Sequence, residues 1–79
     1  MSALEKYDQV FINCFGLEKA QLGSELKYQG ISEWDSVGHM SMIAELEETF
    51  GITIDIDDVI AFSSYEEGKK ILSRYSVQI

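Results

Sequence analysis

The sequence predicts an all-α fold: a small four-helix bundle of three longer helices and one short third helix, with a long loop between the first and second. Three observations carry that reading. Apolar residues recur at three- and four-residue spacing over two stretches, Ala3 to Phe15 and Ser36 to Phe50. Ser64-Tyr65-Glu66-Glu67 has the spacing of a capping box and opens another helical pattern. The strand-like alternation Ile52-Thr53-Ile54 finds no partner strand, so it reads as an extended linker packed on the core.

Each element follows in order. The first helix puts Leu4, Tyr7, Val10, Phe11 and Cys14 on one face, and Gly16 is its stop. From Leu17 to Asp35 no clean period survives, and Gly23, Ser24, Gly30 and Ser32 break the chain. Leu26, Tyr28, Ile31 and Trp34 are available to pin this loop onto the bundle, and a loop so long needs a reason. The second helix runs from Ser36 to Phe50 and ends at Gly51, with Val37, Met40, Ile43, Leu46 and Phe50 as its inward stripe and Glu45, Glu47 and Glu48 around the rest. Gly38 costs this helix up to ~1 kcal/mol against alanine, less in a first turn. A short helix from Asp57 to Ala61 comes next. Ser64 then caps a last helix whose buried face is Tyr65, Gly68, Ile71, Leu72 and Tyr75. No repeat or second domain interrupts residues 1–79, which read as a single domain.

Size and charge narrow the function. A chain of 79 residues buries only about 60% of its unfolded surface, so a large enclosed cleft would empty the core that holds the fold. No signal peptide and no apolar run of the ~20 residues a membrane span needs is present, and a cytoplasmic protein is expected. Cys14, the sole cysteine, supports neither an internal disulfide nor a cysteine-based metal site. Net charge is −8, and between Lys27 and Lys69 ten Asp or Glu residues occur with no Lys or Arg. Such a field repels nucleic acid and anionic membranes and attracts basic protein surfaces. A merely solvated acidic surface is the plainer alternative.

Most of the chemistry is concentrated in Trp34-Asp35-Ser36-Val37-Gly38-His39-Met40. A serine follows an aspartate where a helix begins, so either Asp35 or Ser36 could serve as N-cap, worth ~1 kcal/mol. An anion on Ser36 would gain roughly 0.3–1 kcal/mol from the helix start. Packing beneath Val37 and Met40 is expected to fix the serine.

This segment resembles the Asp-Ser-Leu/Val/Ile signature of acyl and peptidyl carrier proteins. Downstream, Ala44-Glu45-Leu46-Glu47-Glu48-Thr49-Phe50-Gly51-Ile52 is similar to the end of that family's second helix. The likeness covers nearly the whole chain, and its specific part runs from Trp34 to Phe62. The resemblance implies an acyl-carrier-like fold in which the long loop carries the chain along the bundle. It implies a 4′-phosphopantetheine arm attached to Ser36, installed from coenzyme A by a phosphopantetheinyl transferase that uses a divalent metal. Further implied partners are an acyl- or aminoacyl-loading ligase and an acyltransferase or synthase with a basic docking patch. The chain itself would be a non-catalytic carrier of acyl or aminoacyl thioesters. Partner recognition falls to Asp35, Val37, Met40, Glu47, Glu48, Ile56 and Ile60. Gly38, Ser41, Ala44, Ile56 and Ile60 depart from the fatty-acid branch, which points to a stand-alone carrier of a specialised pathway.

Other readings are weaker. A hydrolase on Asp35, Ser36 and His39 needs three nearly consecutive residues in a nucleophile–base–orienter line, so His39 reads as a surface or boundary side chain. Asp55, Asp57 and Asp58 lack the glycine of a calcium loop, since Ile60 stands at its sixth position. Cys14 reads as a small buried hydrophobe. The alternative of a different class is a noncovalent acidic adaptor that docks a basic partner and carries no arm.

Overall fold

A computed structural model describes residues 2–79 and holds four α-helices: α1 (Ala3–Phe15), α2 (Ser36–Phe50), α3 (Ile56–Ala61) and α4 (Tyr65–Ser73). A single 3-10 turn, Lys19–Gln21, lies in the long loop, and no strand forms among the described residues. The all-α, carrier-like bundle expected from the sequence is therefore present.

Helix ends explain the boundaries. Ser2 opens α1 with a reciprocal capping box to Glu5, which satisfies two otherwise free amides. Gly16 and Gly51 close α1 and α2 in the left-handed conformation, at φ 65° and 63°, where a side chain would be strained. Ser64 Oγ accepts the Glu67 amide at 3.0 Å and starts α4 as expected.

One apolar cluster joins the elements. Tyr7, Val10, Phe11 and Phe15 of α1 meet Met42, Ile43 and Leu46 of α2, Val59 of α3, and Tyr65, Ile71 and Leu72 of α4. Leu4 is exposed and Cys14 only half-buried, so the α1 face is rotated toward Phe15 relative to the expected stripe. Leu17, Leu26 and Trp34 bury the loop, while Tyr28 and Ile31 pack at its edge. Two backbone bonds also tie it to the start of α4, Tyr28 N to Ser63 O and Tyr65 N to Leu26 O, both 2.9 Å. Ile54 of the linker is buried and Ile52 packs partly, as an extended connection should.

The inward stripe of α2 needs correction in its first turns. Ile43 and Leu46 are buried and Phe50 partly so, but Val37 and Met40 are 75% and 53% exposed. Gly38 and His39 face inward instead, and Met42 completes the buried row. Neither glycine nor histidine registers as apolar, so periodicity selects Val37 and Met40 in their place.

Candidate functional site

Asp35, not Ser36, is the cap of α2: its Oδ1 accepts the Gly38 amide at 2.8 Å. That leaves Ser36 as the first helical residue, exposed and relieved of capping duty. Its placement is fixed from below, though not by the residues expected. A Cβ on Gly38 would lie 2.1 Å from the Glu33 carbonyl oxygen and 3.2 Å from a ring carbon of Phe15. Glycine thus lets the loop and α1 close directly against the first turn. Trp34 stacks on Phe15 with ring centroids 5.3 Å apart and meets Phe11 edge-on at 5.5 Å. The residue two before Ser36 is therefore locked in the core.

His39 adds a second lock. Trp34 Nε1 donates to His39 Nδ1 at 2.9 Å, and His39 Nε2 lies 2.8 Å from the Val59 carbonyl oxygen. Indole nitrogen only donates and a carbonyl only accepts, so both bonds form together only in neutral imidazole with its proton on Nε2. His39 is committed on both nitrogens and Asp35 on the Gly38 amide. The two are structural partners of the serine, not a base and orienter for it.

The exposed residues of α2 and α3 are mixed. Ile56 and Ile60 of α3 are 67% and 75% exposed and, with Val37 and Met40, form apolar surface on α2 and α3. Glu48 is exposed. Glu47 is half-buried, and its Oε2 accepts the Ile54 amide at 2.9 Å, so this carboxylate holds the α2–α3 linker. Asp58 takes Arg74 at 2.7 Å and the Tyr75 hydroxyl at 2.5 Å, which anchors α3 to the residues after α4. That bond to Asp58 is also the main reason the Tyr75 hydroxyl is harder to ionise than usual. Cys14 lies outside the site; partial burial, then nearby Glu45, pushes its thiol up and disfavours the reactive thiolate.

Sequence reasoning brought Asp35, Ser36 and the exposed apolar quartet to notice. It missed the packing role of Gly38 and the double engagement of His39. A histidine five residues after a buried tryptophan was the available signal.

Residues 33–67 match the family model of the phosphopantetheine attachment site. The match begins just before Trp34, takes in α2, the linker and α3, and ends in the first turn of α4. Phosphopantetheine attachment segments hold 4′-phosphopantetheine covalently, and such domains are carriers, not catalysts. No curated protein and no solved structure gives a significant match to the chain. Among the described residues no helix is long and apolar enough to cross a membrane, and no group of three or more His, Cys, Asp or Glu is placed to hold a metal.

The first turn of α2 fits the group. A phosphodiester is an anion, and a helix start presents amide hydrogens and the positive end of the backbone dipole. An exposed oxygen at the first helical position leaves a flexible tether free to leave the surface.

Proposed function

We propose that this chain is an acyl carrier protein bearing acyl or aminoacyl thioesters on a 4′-phosphopantetheine arm attached to Ser36. The observation that carries it is the division of labour between Asp35 and Ser36. The aspartate caps the helix, and the serine inside the matched segment is left exposed at the first helical position. Other serines of the segment are placed less well. Ser64 is committed to capping α4, Ser41 lies along the α2 shaft, and Ser63 sits between α3 and α4 with its carbonyl bonded to Tyr28.

The arm supplies a terminal thiol that holds the acyl group as a thioester. The chain contributes placement: Trp34 and Gly38 fix the helix start, Asp35 holds its first turn, and Ser36 offers the oxygen. His39 is not free to take its proton, because it uses both ring nitrogens elsewhere. In this reading the modifying enzyme brings the base, as a phosphopantetheinyl transferase working from coenzyme A with a divalent metal would.

Asp35, Val37, Met40, Glu48, Ile56 and Ile60 form the recognition surface in this reading, with Glu47 contributing charge from its tethered position. A loading ligase and an acyltransferase or synthase with a basic patch would dock there. Exposed apolar residues on α2 and α3 favour a dedicated carrier of a specialised pathway. One carrier domain over residues 1–79, working in the cytoplasm beside its coenzyme A supply, belongs to the same proposal.

Incubation with a promiscuous phosphopantetheinyl transferase and coenzyme A tests it. Wild type should gain one arm's mass, and Ser36→Ala should gain none while folding normally. A folded wild type that stays bare under conditions that load a control carrier would refute the carrier reading and favour the adaptor, whose activity Ser36→Ala would leave intact.

A further inference from the structure

We infer that His39 is a positioning residue for Ser36, a proton-sensitive clip that joins the loop before the serine to both helices of the proposed recognition surface. The inference rests on the carrier reading for its functional consequence, though its structural half stands alone. Three elements meet at this one ring. Trp34 ends the loop and lies two residues before Ser36, His39 is on α2 one turn after it, and Val59 belongs to α3 between Ile56 and Ile60. The imidazole stacks beside Trp34 with centroids 6.2 Å apart and meets Tyr28 and Phe62 edge-on at 5.4 and 6.1 Å.

A proton added at Nδ1 turns an acceptor into a donor that faces the donor of Trp34, so that bond must break while Nε2–H still donates to the Val59 carbonyl. The surroundings offer little to receive the new N–H. From the loop His39 faces Tyr28 and Trp34; from α3 and the residues after it, it faces Val59, Ile60, Phe62 and Ser63. Of these only Tyr28 carries a titratable group, and none is charged at neutral pH. On α2 itself Asp35 lies one turn back with its carboxylate on the Gly38 amide. Beside the ring a cavity of about 240 Å³, lined by Tyr28, His39, Val59, Ile60, Phe62 and Ser63, gives the imidazolium room to turn. Such a turn frees Trp34 from α2, which loosens the helix start before Ser36.

The chain holds one histidine and one tryptophan, so both partners give unambiguous signals. The test follows the Trp34 indole N–H and the His39 ring resonances by NMR as pH falls from about 7.5 to about 5.5, across the range where histidines ordinarily gain a proton. At the upper pH the His39 nitrogens should report the Nε2–H tautomer. The Trp34 signal should then shift in step with His39 protonation, and in His39→Gln or His39→Phe it should stay flat. His39→Phe keeps the ring packing and guards against misreading a folding defect. In parallel, the transferase loading rate is measured at both pH values. The ratio for wild type should fall roughly tenfold further than the ratio for His39→Gln, the effect of one buried hydrogen bond.

An Nδ1–H tautomer, or a Trp34 signal indifferent to His39 protonation, overturns the clip. Coupled resonances with equal loading ratios overturn the positioning role while leaving the clip. Failure of every variant to load at either pH counts against the carrier reading, and the resonances still decide the clip.

Discussion

A methyl group at position 38 sets helix propensity against packing. Alanine is favoured over glycine inside a helix by up to ~1 kcal/mol. Here its Cβ would be driven against the backbone carbonyl of Glu33, which has no flexible end to yield. We expect Gly38→Ala to destabilise by about 1–3 kcal/mol in urea unfolding, the range for overpacking a close contact. A more stable variant would show that the loop does not close on the helix start. Ser36→Ala, by contrast, should change stability by less than about 0.5 kcal/mol, because the side chain is exposed and the cap is Asp35. At this scale the sequence placed the start of α2 at Asp35 and Ser36, but it turned Val37 and Met40 inside. Hydropathy cannot reveal that a glycine is the contact surface. Nor can it show that a histidine is satisfied on both nitrogens, since that depends on where Trp34 and Val59 arrive from other elements.

Between elements, the α1–α4 seam is held by a buried polar chain. Tyr7 donates its hydroxyl to the Tyr65 carbonyl at 2.7 Å, and the Tyr65 hydroxyl donates to the buried Asp8. Lys69 lies over the Tyr65 ring at 4.6 Å. Gly68 makes the approach possible, since a Cβ there would meet Phe62 at 2.2 Å and the Tyr7 hydroxyl at 2.3 Å. Tyr65→Phe strips Asp8 of this donor and should cost about 1–3 kcal/mol. An unchanged melting midpoint would mean that water replaces the hydroxyl. Burial, with the neighbouring Tyr65 and Asp8 adding to it, raises the Tyr7 hydroxyl well above its ordinary range; burial and then the bond to Asp8 raise Tyr65. Unfolded tyrosines release their protons near pH 10, and the folded pair release theirs only at higher pH. The folded state thus holds more protons in that window, so stability is intact below about pH 10 and falls above it. Urea midpoints measured from pH 8 upward should decline beyond about pH 10, and more shallowly in Tyr65→Phe. A flat wild-type profile would contradict the buried seam. The helix boundaries were legible because Ser64, Gly16 and Gly51 are local signals. The buried Asp8 was not, because its partner Tyr65 lies on α4 and reaches it only in the folded chain.

Over the whole molecule, exposed acidic and apolar side chains both lie on α2, α3 and their N-caps. Asp35, Glu45, Glu48, Asp55 and Asp57 are exposed, as are Val37, Met40, Ile56 and Ile60. Surface carboxylates act at a distance and are screened by salt, whereas apolar side chains act only on contact. A basic partner should therefore be steered by the charges and held by the isoleucines. We expect raised sodium chloride to lower the association rate for loading with little change in dissociation, and Ile56→Asp or Ile60→Asp to speed dissociation. Equal salt sensitivity of both rates would argue against steering.

Whether Ser36 carries the arm is decided by peptide mapping of the protein purified from cells that also supply a transferase. Tandem mass spectrometry should place a single 4′-phosphopantetheine on Ser36. An arm found on Ser41 or Ser63, or a folded protein with every serine bare, would contradict the account.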